Sequence, residues 1–399
     1  MEFRFATRMT QVKSSVVRDI LKLTQGNDIV SFAGGLPAEE LFPVQAVREA
    51  ADRAISAGTS ALQYGLTEGY LPLREQLCVR MAQKGMNVQP DDMIITTGSQ
   101  QAISLLVQVL TEPGDTVLVE RPTYLACLQV FELHGLKVVA AESDEHGMIP
   151  EDVERLVRQH KPKFIYAVPT FGNPTGNVWS LERRHQLLRI CAGHQVPIIE
   201  DDPYGELKYD EHEAFPTLFA LDQQQYGSGV VIYTSTFSKI VAPALRTGWA
   251  IGDARVIKML AKAKQAADLQ SSTMDQQILS QLLAHFPLDE HIRIISESYG
   301  DRMREMQSLI KAQKIEGLHW IEPKGGMFLW MELPEGLDAE ALLRVAVSKG
   351  VAFVPGSAFY AYDPKRNTAR LNFTHNKGER TVLGVARLAE AIREFTARS

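Results

Sequence analysis

Val230-Val231-Ile232-Tyr233-Thr234-Ser235-Thr236-Phe237-Ser238-Lys239 is the stretch on which the reading of this chain turns. Its first half is an apolar run of strand length, and its second half is a hydroxyl-rich turn that ends on a lysine. Apolar Ile240-Val241-Ala242-Pro243 follows, and Arg246 lies seven residues past the lysine. Lysine is ordinarily a solvated surface charge. An amine held between two apolar segments instead loses water, which lowers its pKa and makes it a nucleophile toward an aldehyde. The hydroxyls of Thr236 and Ser238, with the Arg246 guanidinium, form a set suited to a phosphate.

The same kind of short apolar run recurs on either side. Runs at 93–97, 116–120, 137–141, 164–168, 197–200, 230–234 and 248–252 read as strands, and amphipathic stretches such as 101–110, 151–159 and 181–192 lie between them as helices. This alternation predicts an α/β fold with a mainly parallel seven-stranded sheet covered by helices on both faces. Ligands of such sheets bind at the carboxyl ends of the strands, and three further strand-end loops carry unusual residues. Thr97-Gly98-Ser99-Gln100 joins a strand to a helix, where free N–H groups attract phosphate, although alone it reads as an ordinary N-cap at Ser99. Asn173-Pro174-Thr175-Gly176 is turn chemistry at a strand end. Glu200-Asp201-Asp202-Pro203-Tyr204 places three acids after apolar Pro197-Ile198-Ile199, costly if buried without partners. One of those carboxylates is suited to holding a cationic ring nitrogen.

A long amphipathic stretch at 290–312 leaves this lobe for a smaller α/β unit with strands at 327–333, 351–354 and 370–373 and helices at 339–349 and 378–396. The first forty-odd residues show no sheet pattern and are expected to cross to that second unit. The expected organisation is an N-terminal segment at 1–45, a large cofactor-binding domain at 46–288 and a small C-terminal domain at 289–399.

The chain has 399 residues, 45% of them hydrophobic, enough for two cores. A net charge of −6 points away from nucleic acid and anionic membranes. Cys78, Cys127 and Cys191 form no C-x-x-C pair, and the ten histidines show no metal spacing, so no metal site is expected. The cysteines fit a reducing cytoplasm, the N-terminus does not read as a signal peptide, and no apolar run is long enough to span a bilayer.

Each loop is ambiguous singly, but together they supply an amine, a phosphate site, a carboxylate for a ring nitrogen and polar groups for a ring hydroxyl. With Thr236-Phe237-Ser238-Lys239, Pro243-Ala244-Leu245-Arg246-Thr247-Gly248-Trp249, Asn173-Pro174-Thr175-Gly176, Asp201-Asp202-Pro203-Tyr204 and Ser31-Phe32-Ala33-Gly34-Gly35-Leu36-Pro37, the chain resembles, over nearly its whole length, a class I aminotransferase of the pyridoxal 5′-phosphate (PLP) fold-type-I superfamily. It is most similar to the branch of 2-aminoadipate and kynurenine aminotransferases. The resemblance implies that Lys239 carries the cofactor as a Schiff base and later moves a proton, and that Asp201 pairs with the ring nitrogen. It implies that Asn173 and Tyr204 bond the ring's 3′ oxygen, Tyr124 stacks on the ring, and Ser99, Gln100, Thr236, Ser238 and Arg246 hold the phosphate. Arg370 is implied for the substrate α-carboxylate, Gly35 and Arg18 for the side-chain pocket, and Tyr64 for the neighbouring subunit's phosphate in a homodimer. Gly172, Ala244 and Thr236 depart from the common pattern without removing a needed functional group, and Gly172 leaves side-chain specificity open.

The expected reaction is a ping-pong transfer of an amino group from an L-amino acid (2-aminoadipate, aromatic, large aliphatic or glutamate) to a 2-oxo acid such as 2-oxoglutarate. Two other outcomes share the fold: a PLP-dependent lyase or decarboxylase, and a non-catalytic PLP-sensing regulatory module. The regulators carry a helix-turn-helix segment ahead of this domain, and the family pattern here begins almost at Met1. A nicotinamide oxidoreductase is disfavoured because no G-x-G-x-x-G follows an early strand.

Overall fold

The computed structural model describes residues 1–12, 16–24 and 28–398. Its strands are β1 (Val30–Ser31), β2 (Met93–Thr96), β3 (Thr116–Arg121), β4 (Lys137–Asp144), β5 (Gly147–Met148), β6 (Ile165–Ala167), β7 (Ile198–Asp201), β8 (Val231–Thr236), β9 (Gly248–Ile251), β10 (His319–Trp320), β11 (Phe328–Glu332), β12 (Val351–Ala352), β13 (Val354–Pro355) and β14 (Thr368–Asn372). The large sheet runs β2-β9-β8-β7-β6-β3-β4-β5. Its neighbours pair in parallel except at β9, which is antiparallel to both β2 and β8, and at β5, which folds back on β4.

The sheet therefore has eight strands where seven were expected. The extra strand is a two-residue return of β4, too short to leave a periodic signal. The seven others stand at the expected places, shifted at their ends by a residue or a few.

The strands are mostly apolar, with polar residues gathered toward their carboxyl ends, because both faces of the sheet are covered. Successive residues alternate between two packed layers. Ile94, Ile199, Ile232 and Ala250 face one helical layer with Leu106, Phe131 and Leu260. Ile198, Val231 and Ile165 face the other with Leu156, Leu187 and Leu218. Four helices, Leu181–His194, Ala254–Ala267, Thr273–His285 and Ala339–Ser348, open with a side-chain cap from Ser180, Asp253, Ser272 and Asp338 respectively. The helix Ser99–Leu110 does not. Its cap position is Gly98, at φ 76°, so the N-cap at Ser99 is corrected to Gly98, and no side chain satisfies its first N–H groups.

The second unit differs from expectation in three places, the first being the unforeseen two-residue strand β10 at the edge of its sheet. The run at 351–354 is two short strands: β12 pairs in parallel with β1, whereas β13 joins the sheet β10-β11-β14-β13, with buried Phe353 between them. The N-terminal segment thus does contribute a strand, as two residues that no pattern could have disclosed. The 25-residue helix Leu288–Ala312 links the two units.

Arg184 ties the ends of several elements together beneath the Asn173–Gly176 loop. It is 1% exposed, and its guanidinium donates to the carbonyls of Trp179, Pro216 and Pro169 and to Thr170 Oγ1. Replacing it strands buried acceptors. Arg184→Met is expected to lose on the order of 3 kcal/mol and to lower the melting temperature by roughly 4 °C, read by differential scanning calorimetry. A variant melting with the wild type would show that these bonds contribute nothing net.

Candidate active site

The reversed strand β9 decides where the chemistry gathers. Its first residue, Gly248, pairs with Thr96 at the end of β2 and with Thr236 at the end of β8. The loops that follow β2 and β8 therefore meet at one edge of the sheet, beside those that follow β6 and β7. A Cβ on Gly248 would lie 2.7 Å from both the Ser235 carbonyl and the Ser99 nitrogen, so only glycine admits this approach. A cavity of about 150 Å³ opens there, lined among others by Ser99, Gln100, Tyr124, Asn173, Asp201, Tyr204, Thr236, Ser238, Lys239 and Arg246. A larger cleft beside Trp179 contains no lysine amine in a comparable setting.

Lys239 ends a short turn after β8, and its Nζ donates to the Gly35 carbonyl at 3.0 Å. Burial above all, then the neighbouring Arg370 and Arg246 charges, lower its pKa to about 8. Thr236 Oγ1 accepts from the Ser238 N–H at 3.1 Å and stands 2.9 Å from Ser238 Oγ. Arg246 reaches Ser238 Oγ at 3.4 Å from a backbone in the left-handed region (φ 42°), a conformation that costs a non-glycine residue about 1–2 kcal/mol.

The three consecutive acids go to three different places. Glu200 accepts from the backbone N–H groups of Leu218 and Phe219 at 2.8 and 2.9 Å, and Asp202 pairs with Lys84 Nζ and Tyr233 OH, both at 2.8 Å. Asp201 alone faces the cavity. Its Oδ2 accepts from Tyr166 OH at 2.7 Å and its Oδ1 from Thr234 Oγ1 at 3.1 Å. Burial raises its pKa to about 6, and the two hydroxyl bonds oppose that rise. Tyr166 and Thr234 did not emerge from the sequence. The available signal was parity: Tyr166 registers with Ile199 and Thr234 with Asp201, which puts both on the Asp201 side of the pleat.

Arg370, on β14, is 3% exposed. It donates to Asn173 Oδ1 at 2.8 Å and to the Ala33 carbonyl at 2.6 Å, between the rings of Phe328 and Phe359. Burial lowers its pKa to about 10. Its Nε is buried without a partner. Asn173 also bonds the Tyr204 hydroxyl, whose pKa burial raises, and burial with the nearby Asp201 charge pushes Tyr124 up to about 12. Gly35 thus meets the site through its carbonyl. Gly35 and Arg370 border the cavity through their bonds to Lys239 and Asn173, whereas two other expected residues stand apart from it. Tyr64 is 77% exposed, and Arg18 lies exposed on the helix Val16–Thr24.

Residues 27–386 match the family described as aminotransferase class I and II. The chain belongs to that family. It is 40% identical to aromatic-amino-acid aminotransferase 1 of Thermococcus litoralis, covering 98% of this chain and 94% of that one. It is 38% identical to the 2-aminoadipate transaminase of Thermus thermophilus, covering 97% and 96%. Its fold superposes with TM-score 0.92 and 36% identity on the alpha-aminoadipate aminotransferase from Thermus thermophilus solved with N-(5′-phosphopyridoxyl)-L-leucine, covering 99% and 98% of the two chains. The protein is a PLP-dependent aminotransferase of fold type I.

The geometry of this aminotransferase fits that cofactor. Lys239, Arg246 and Arg370 bring three cations to a cavity whose lining holds one carboxylate, Asp201, so phosphate and carboxylate anions balance it. The uncapped helix at Ser99 leaves its donors for a phosphate. A Cβ on Gly98 would lie 2.6 Å from an Arg246 terminal nitrogen, inside that cradle.

Two outcomes follow. Only the neutral amine attacks an aldehyde, so the rate at which apoprotein takes up PLP should rise with pH through about 8 and level off above it. Arg370→Met, which removes a depressing charge, should move that midpoint upward in stopped-flow absorbance. Gly98→Ala, strained at φ 76° and crowding Arg246, should weaken PLP affinity at least about 10-fold. Fluorescence titration of the apoprotein measures it.

Proposed function

We propose that this aminotransferase moves the amino group of an L-amino acid to a 2-oxo acid, with 2-oxoglutarate as the acceptor, in two half-reactions of a ping-pong cycle. The observation that carries the reading is the buried Lys239 amine, poised between the phosphate cradle at Arg246 and the partly unpaired guanidinium of Arg370.

When bound, PLP supplies an aldehyde for amine exchange and a ring that takes up the electron pair left as the Cα–H bond breaks. Lys239 Nζ, neutral once released, takes the Cα proton and delivers it to the cofactor's C4′ atom. Asp201 holds a proton on the ring nitrogen. Asn173 and Tyr204 hold the 3′ oxygen and Tyr124 covers the ring. Ser99, Gln100, Thr236, Ser238 and Arg246 grip the phosphate. Arg370 takes the α-carboxylate in a two-pronged ion pair, for which its present bond to the Ala33 carbonyl holds the place. Gly35 bounds the substrate space beside Lys239.

The donor range we propose is broad: 2-aminoadipate, aromatic and large aliphatic amino acids, and glutamate. The names of the relatives support its aromatic and 2-aminoadipate members and the leucine adduct its aliphatic one, while Arg18 does not line the cavity to meet a second carboxylate. The active unit is proposed to be a cytoplasmic homodimer in which Tyr64 reaches the partner's cofactor phosphate. Support comes from Leu62, Tyr64 and Leu66, exposed by 76%, 77% and 63% in the single chain. Among the described residues no helix is long and apolar enough to cross a membrane.

A panel of L-amino acids assayed with 2-oxoglutarate tests the proposal. The expected result is parallel double-reciprocal lines, 2-oxo acid formed in step with glutamate, and no turnover above background in Lys239→Ala. Release of ammonia or carbon dioxide in place of amino transfer would move the chain to lyase or decarboxylase chemistry, and PLP binding without turnover to a sensing role.

A further inference from the structure

Asp201 is 3% exposed, and its two oxygens are bonded from opposite sides. Tyr166 reaches Oδ2 from β6 at 2.7 Å and Thr234 reaches Oδ1 from β8 at 3.1 Å. Both donors are fully buried. We propose that Tyr166 is a positioning residue of the reaction, its hydroxyl fixing the orientation and the negative charge of the Asp201 carboxylate for the cofactor's ring nitrogen, with Thr234 as its weaker counterpart. This rests on the role of Asp201 proposed above.

The chemistry of the two partners supports it. A carboxylate in a dry site is normally satisfied by a cation, and its neighbour Asp202 is, by Lys84. Asp201 has no ion pair among the described residues. The titratable groups whose charges act on it or feel it are Asp202, Tyr124, Cys127, Tyr166 and Tyr204, none of them cationic. Neutral hydroxyl donors stabilise the ionised carboxylate without cancelling its charge, so that charge is left for a pyridinium. Two donors on different oxygens from two neighbouring strands also remove the freedom of the carboxylate to rotate. The Tyr166 ring is held separately, edge-on to Phe131 with centroids 6.1 Å apart in the packed layer, so the hydroxyl bond can be removed without removing the packing.

Tyr166→Phe deletes one oxygen and keeps that packing, and Thr234→Val is close to isosteric. Each is reconstituted with PLP whose ring nitrogen is isotopically labelled, and the protonation of that nitrogen is followed by NMR against pH. Loss of a donor makes Asp201 easier to protonate and a poorer partner, so the ring nitrogen should lose its proton at lower pH. For Tyr166→Phe the expected shift is about one pH unit or more. The turnover number should fall roughly 10-fold or more with KM for the amino donor nearly unchanged, while the apoprotein melts within about 2 °C of wild type. Thr234→Val should move the same readings less. A ring-nitrogen titration in Tyr166→Phe that overlays the wild type overturns the inference. Asp201→Asn separates the two readings. If it too leaves the ring nitrogen unchanged, the role of Asp201 itself fails; if it alone changes the titration, only the part given to Tyr166 fails.

Discussion

Keeping water from one amine while two guanidinium groups stand close is the constraint on which this site depends. Lys239 can be neutral near pH 8 because its half-buried side chain is drawn away from water, at the end of β8, which lies inside the sheet with packed layers on both faces. Arg246 and Arg370 add repulsion, and together with Lys239 they leave the cavity with more positive than negative charge. Such an excess is tolerable only where anions are to be bound. The proposed phosphate at Arg246 and carboxylate at Arg370 meet that condition.

The strand β7 shows how a pleated backbone sorts chemically similar side chains. Glu200, Asp201 and Asp202 are consecutive acids, yet alternation sends Asp201 to one side and its neighbours to the other. Glu200 then satisfies the start of a short helix and Asp202 the half-buried Lys84, so both are structural. Only Asp201 is left with neutral partners and a face toward the cavity. Composition at this point says that acids are present. Direction decides which of them acts.

The antiparallel β9 has an equally local cause and a wider effect. Because it runs against β2 and β8, its glycine start lies between their carboxyl ends, and the absence of a side chain at Gly248 brings the helix at Ser99 against the turn at Lys239. An uncapped helix, two hydroxyls and an arginine in an uncommon backbone conformation are thereby brought together, the set we propose to hold the phosphate. The helix at Ser99 opens without a side-chain cap, so its first N–H groups are free to meet an anion in the cavity.

The apolar runs, the lysine within its hydroxyl turn and the acids after β7 were all legible in the sequence, because burial on two faces and strand-end loops leave a periodic and compositional trace. From these the α/β sheet and its ligand-bearing edge could be placed. The two-residue strands β1, β5 and β10, the break of 351–354 at Phe353 and the cap at Gly98 were not legible, since elements so short carry no period. The partners of Asp201 were hidden for another reason. Tyr166 and Thr234 are 35 and 33 residues distant along the chain, and only strand order and register bring their hydroxyls to one carboxylate. Local pattern therefore settled which residues could do chemistry, and the pairing of strands settled which of them meet, because contact between distant residues is a property of register and not of neighbouring sequence.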